Sequence, residues 1–403
     1  MCWGDADGNG QLGNGNFSED NPFPSTAFGL QSPPAGGPGG PAQIAVGGHH
    51  ACVVLTSARV ECWGSNFFGS LGNGTRLDRA IPTPTIGLPL PLHSVNAVTS
   101  GAVTSCAVTA GFGAACWGQM TGDGSPLTAD HTSAVAVKNL PAGAVSQVSA
   151  GYGGCALIRT GGLATGLRCW GNNQWGQLGN GTTSNSSVPV IVTGLPSNMA
   201  QVAAADDHTC ALLKNETVKC WGLNNAGQLG DGTTSNRVTP VAVAGLTGVV
   251  QISLGDGYTC ALLDFGGVQC WGANALGELG NGTTTGSTSP VQVSGLTGGV
   301  QAISAGDASA CAVLQSAQVD CWGDNSAGEL GNGSVGGQSD TPVAVSGGSF
   351  LSDGSSIGLG NLGSTGCALD GTETAQCWGE NSHGEAGNAT TTDTGSPAVV
   401  QGL

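Results

Sequence analysis

TCALLKNETVKCWG (209–222), TCALLDFGGVQCWG (259–272) and ACAVLQSAQVDCWG (310–323) are three copies of one unit. A cysteine sits in an apolar run, a polar turn follows, and a second cysteine opens the tripeptide Cys-Trp-Gly. That tripeptide begins at residues 2, 62, 116, 169, 220, 270, 321 and 377, so a module of about fifty residues repeats along the chain. In the copy spanning 249–296 the apolar pieces are VVQISLG, YTCALLD, VQCWGAN and PVQVSGL. Each is short, rich in Val, Ile, Leu and Thr, and closed by Gly, Asn or Asp, which reads as four strands joined by tight turns. Helical periodicity is absent because glycine interrupts the runs after four to seven residues.

One such sheet cannot bury both its faces alone, whereas radial stacking buries each sheet between two neighbours. The sequence therefore predicts an all-β fold, a β-propeller of four-stranded antiparallel blades. Eight second halves are present but only seven first halves, which gives a seven-bladed count. We read residues 1–403 as a single propeller domain: an N-terminal half-repeat with a Pro/Gly-rich insertion over 1–43, then seven repeats over 44–403. The half-repeat is either a leftover half-blade or a closure of the last blade.

Composition narrows the partners. With 9 Lys+Arg against 26 Asp+Glu the formal charge is -17, which repels phosphate backbones and anionic membranes; no Lys/Arg run exists, so nucleic-acid binding is not expected. No apolar run is long enough to span a bilayer. Fifteen cysteines are many for a cytosolic chain of this size, and fourteen fall into local pairs. The pairs are Cys52 with Cys62, Cys106 with Cys116, Cys155 with Cys169, Cys210 with Cys220, Cys260 with Cys270, Cys311 with Cys321, and Cys367 with Cys377, leaving Cys2 over. In a hairpin that turns midway, such partners come opposite each other, as a disulfide requires. Buried thiols acting as small apolar side chains are the competing reading. Zinc is a weaker one, since two sulfurs per blade supply half a tetrahedral site. Disulfides place the chain outside the cell or on its surface, although no secretion signal is visible.

The pattern HTCALLKNETVKCWGLNNAGQLGDGTT (208–234), with RCWGNNQWGQLGNGTT (168–183), resembles the regulator-of-chromosome-condensation repeat, particularly its cysteine-bearing bacterial form. The resemblance implies a seven-bladed propeller. Family members include a nucleotide-exchange factor for a small GTPase, which also docks on chromatin, and secreted bacterial propellers, one kind of which inhibits β-lactamases.

Several motifs invite a chemical reading. One tryptophan per repeat, in register, is inter-blade packing rather than a ligand stripe. The GQLGNG-type loops look like phosphate cradles, but no lysine follows and no helix begins there. DADGNG (5–10) imitates a calcium loop, yet Asn16 stands where the bidentate glutamate belongs. The Asn-Gly-Thr sequons at Asn73, Asn180 and Asn281 follow from the turns. No metal, cofactor or catalytic constellation emerges.

The informative variation precedes the first cysteine of each repeat: GGHHAC (47–52), GAVTSC (101–106), ADDHTC (205–210), GDGYTC (255–260) and GDASAC (306–311). A propeller gathers these strand entrances around one mouth of its channel. His49, His50, Tyr152, Asp206, Asp207, His208, Asp256, Tyr258 and Asp307 are thus expected to form an acidic, histidine-containing partner face, with Phe67, Phe68 and Trp175 as aromatic additions. In the resembling exchange factor, acidic and histidine side chains at this position help form the partner face. Asp206, Asp207 and His208 match it, whereas Val103, Thr104, Ala308 and Ser309 depart from it. The competing reading makes His50 and His208 inter-blade hydrogen-bonding residues. The expected function is a protein-interaction scaffold, monomeric, whose macromolecular partner is neutral or basic. The alternatives are an exchange-factor-like regulator, or a hydrolase or lyase at the channel mouth built on His208 and an aspartate.

Overall fold

In the repeat 249–296, four strands form one antiparallel sheet in chain order: Val249–Leu254, Tyr258–Leu263, Val268–Gly272 and Ser287–Gln292. The computed structural model describes residues 2–4, 21–25, 41–46 and 50–399, apart from 56–58, 65, 78, 89–94, 102, 110–112, 142, 161–162, 348–356, 360–364, 370–374 and 380–392. Seven such sheets follow one another, with first strands beginning at Pro41, Val95, Val145, Met199, Val249, Val300 and Ile357. The fold is a seven-bladed β-propeller, and we number its blades one to seven in that order. Cys2–Gly4 and Asn21–Ser25 pair as a separate two-stranded sheet, while all four strands of blade seven come from 357–399.

Why strands this short hold together is visible in their burial. All six residues of Tyr258–Leu263 are buried, because alternate side chains face opposite neighbours. Tyr258, Cys260 and Leu262 pack with Ala310, Ala312 and Trp322 of blade six; Ala261, Leu263 and Trp271 pack with Cys210, Leu212 and Val218 of blade four. First strands of successive blades touch one another and so lie nearest the axis. Fourth strands form the outer edge, and Pro189, Pro240, Pro290, Pro342 and Pro397 within them remove ladder donors, which blunts edge-to-edge pairing.

Cysteines oppose each other in every hairpin, as Cys260 does Cys270. Six pairs are at disulfide-bonding distance with Cα atoms 4.1 Å apart: 52–62, 106–116, 155–169, 210–220, 260–270 and 311–321. Cys367 and Cys377 share the same backbone register, their side chains lying outside the described residues, as does the loop 5–16.

Candidate functional site

The turn between first and second strands is fixed by the glycine of Cys-Trp-Gly. In blade four, Gly222 lies opposite His208 with φ 110°, and a Cβ there would stand 2.5 Å from the Asp207 carbonyl. That close approach lets Leu223 donate its N–H to Asp207 O at 2.9 Å. Ala273 to Gly257 O and Asp324 to Ala308 O repeat the bond in blades five and six. Each strand entrance is thereby tied to its own blade, and the residue just before the tied carbonyl projects at the mouth: Asp206, Asp256 and Asp307. Blade three has a turn one residue shorter, so Tyr152 itself supplies the carbonyl, to Asn172 N at 3.1 Å, and leaves its ring 41 % exposed.

Asp256 and Asp307 are exposed, while Asp206 and Asp207 are half-buried. Burial, reinforced by Asp207, Asp256 and Asp307, pushes the Asp206 carboxyl up to about 6. Burial and Asp256 raise Asp207 as well, against a hydrogen bond from the Trp175 indole of blade three. Burial, Asp256 and Asp324 raise Asp307. Tyr152, Asn172, Gln177 and Asp206 line a cleft between blades three and four, and Gln177 Nε2 donates to Asp206 O at 3.3 Å. The second-to-first-strand end of blades four to six is thus a continuous negative arc flanked by Tyr152 and Trp175. Phe67 and Phe68, stacked edge-to-face at 4.8 Å, occupy the corresponding loop of blade one.

Three of the expected partner residues are elsewhere. His208 is 1 % exposed, and its Nε2 lies 3.0 Å from Thr259 Oγ1 of blade five. Thr259 donates to Gln228 O, which also accepts the Trp271 indole N–H at 2.9 Å, so four groups close a staple between blades four and five. His50 does the same through Ser105, Ser70 O and Trp117. Tyr258 is fully buried, and its hydroxyl donates to Gly306 O and Ser309 O. The reading of these three as contact residues is corrected to one in which they join blades. His49 falls outside the described residues.

Sequence reasoning missed the rule behind that substitution. The residue two before the first cysteine faces the residue one before it in the next blade: His208 meets Thr259, and Tyr258 meets Ala310. A large ring replaces histidine where the neighbour loses its hydroxyl, so volume is conserved across the junction. The compensating pair is about fifty residues apart, which no local motif displays.

The same geometry removes the acid–base arrangement at the mouth. His208 is sealed between blades, and burial alone lowers its pKa to about 4, so the ring is neutral and faces a threonine rather than an aspartate. Among the described residues no group of three or more His, Cys, Asp or Glu is placed to hold a metal ion.

Comparison with known proteins agrees with this architecture. The chain is 28 % identical over 247 residues to the ultraviolet-B receptor UVR8 of Arabidopsis thaliana, covering 60 % of this chain and 52 % of the receptor. It is 30 % identical over 261 residues to the human E3 ubiquitin-protein ligase HERC2, covering 61 % of this chain and 5 % of the ligase. The chain thus spans about half the length of the plant receptor and a small part of the ligase. The crystal structure of Prp20p from Saccharomyces cerevisiae superposes with a TM-score of 0.68 at 21 % identity, covering 86 % of this chain and 85 % of that one, which shows the shared fold. The RCC1-like domain profile matches residues 1–365, and with the staples and pinned turns above it establishes that the chain belongs to the RCC1-like domain family.

Proposed function

We propose that the chain is an interaction module that binds a neutral or basic protein through the acidic arc, without chemistry of its own, in an oxidising extracellular or cell-surface setting. The observation that carries this reading is the alignment of Asp206, Asp256 and Asp307 at one turn position of three consecutive blades, beside Tyr152 and Trp175. Carboxylates that raise one another's pKa are kept at a cost to stability, and a cationic partner relieves that cost. Aromatic side chains at the flank supply the apolar anchor that such interfaces need. Related propellers support a protein partner: the yeast Prp20p structure is described with its binding to Gsp1p and histones, and yeast RCC1 was crystallised with Kap60. The six cysteine pairs support the compartment.

The test is site-specific photocrosslinking in the native host's surroundings. A crosslinking residue at Tyr152 should capture one partner, whereas the same residue at the exposed Phe265, in the opposite turns, should not. Equal capture from both positions, or capture indifferent to salt, would remove the arc from the interface.

A further inference from the structure

At the end opposite the arc, the turns between second and third strands and the connectors between blades bring together cations that are far apart in sequence. Arg159 donates from Nε to Ser146 Oγ at 3.0 Å and from Nη2 to Ala200 O at 3.2 Å. Arg168 Nη1 reaches Asn139 O at 2.8 Å, and Lys219 Nζ reaches Gly194 O at 3.0 Å. Lys214 is exposed, its backbone N–H bonded to Asn198 O at 2.6 Å. Four of the chain's nine basic residues therefore surround the connectors 139–144 and 194–200. Glu216 is the sole acid in those connectors and the adjoining turns of blades three and four. Among the described residues none of the four cations pairs with a carboxylate. Carbonyl bonds fix the side chains of Arg159, Arg168 and Lys219 while leaving other donors of each guanidinium or ammonium for a partner, and Lys214 is held through its backbone N–H.

We propose that this cationic face receives the acidic arc of a second copy, so that propellers associate head to tail. Both surfaces belong to one chain, lie at opposite ends of it, and carry opposite charge in a protein whose net charge is -17. They also share a spacing. Arg168 and Lys219 occupy equivalent positions in blades three and four, each bonded to the equivalent turn carbonyl of the preceding blade, as Asp206, Asp256 and Asp307 occupy equivalent positions in blades four to six. A rotation by whole blade steps about a common axis matches the angular spacing of one set to that of the other. A long polyanion meets the unfavourable field of the entire body, whereas a second copy presents its carboxylates only within the contact, and charges beyond about 8–10 Å are screened at physiological salt. The contact is heterologous: a copy that offers its arc keeps its own cationic face free, so pairs extend into short columns.

Sedimentation velocity tests this. In about 50 mM salt the chain should shift with concentration from monomer to dimer and beyond, and in about 500 mM salt the association should weaken roughly tenfold or more. The double variants Lys214→Glu/Lys219→Glu and Asp256→Lys/Asp307→Lys should each remain monomeric at the lower salt, and an equimolar mixture should associate, which also shows that both fold. Wild-type chain that stays monomeric at every concentration, or a mixture no larger than its parts, overturns the stacking. Retention of a phosphate-bearing polymer by the monomer with loss in the lysine variant overturns it too, in favour of a polyanion. Neither result touches the protein-partner reading of the arc, which the Tyr152 crosslink reports separately.

Discussion

The junction between blades four and five and the junction between blades two and three are built from the same repeat but are closed differently. At the first, Trp271 and Thr259 both donate to Gln228 O, and His208 caps Thr259. At the second, the loop after Gly118 is shortened to Gln119-Met120-Thr121, Gly154 stands in the threonine position, and the buried Trp170 indole N–H has no partner among the described residues. Gly122 still packs against Trp170 as Gly230 does against Trp271. Apolar packing of the ring is thus retained where its polar anchor is lost, so the tryptophan holds the blades chiefly by volume and only secondarily by its hydrogen bond.

Removing that volume should give the largest effect. Trp271→Ala empties a fully buried site between Leu212, Val218 and Leu263 and should cost about 3–5 kcal/mol in denaturant unfolding. The sharper half of the comparison is Trp→Phe at each junction. Trp271→Phe takes from Gln228 O one of its two donors, leaving Thr259, and should cost more than Trp170→Phe, which discards a buried donor without a partner among the described residues. Equal costs would show that the indole bond contributes nothing to the regular junction.

His208 distinguishes the two junctions by pH. Its folded pKa, near 4, is below the ordinary histidine value of 6.5, so the unfolded chain binds the proton first. Stability from the neutral ring is therefore complete above about 6.5 and declines as pH falls toward 4, by up to roughly 3 kcal/mol. His208→Gln should flatten that part of the stability profile. A profile unchanged by the substitution would mean that the ring titrates freely in the folded state.

A third intervention writes the regular residue into the irregular junction. Gly154→Thr supplies the hydroxyl found at Thr209 and Thr259, yet a Cβ at Gly154 would lie 2.6 Å from the Trp170 ring. The substitution should destabilise by about 1–3 kcal/mol despite matching its neighbours. Stabilisation instead would show that the glycine is an unfilled site rather than a partner of the displaced ring.

These contrasts explain what the sequence discloses. Cys-Trp-Gly fixes the hairpin register, the inter-blade ring and the pinned turn within a few residues, so cysteine opposition is legible from Cys210, Cys220 and Gly222, and blade count from the recurrence of that unit along the chain. Asp206, Asp256 and Asp307 are legible as an arc because they vary at one position of the repeat. Tyr258 is not legible as a staple, because Ala310 decides its role from the next blade; for His208 the sequence leaves two readings open, and Thr259 of the next blade decides between them. The cationic face is hidden for the same reason: Arg159, Arg168, Lys214 and Lys219 never form a run, and the connectors bring them together only after folding.

The smallest effect concerns the arc and separates binding from stability. Asp206 is held near 6, above the ordinary aspartate value of 3.8, so its charged form disfavours folding at pH 7 and the penalty is released as pH falls through 6. Its sign is opposite to that of His208. Asp206→Asn should therefore stabilise blade four at neutral pH by on the order of 1–2 kcal/mol after allowance for solvent screening, with no gain at pH 4. The same variant should weaken capture at Tyr152, since one carboxylate of the arc is gone. In blades one and two Gly48 and Ala102 occupy the sequence positions that match Asp206, so the penalty is confined to one side of the repeat array. A neutral residue that fits the repeat equally well exists in the same chain. Three aspartates gathered against that option, at a cost to stability, are consistent with the proposed binding role.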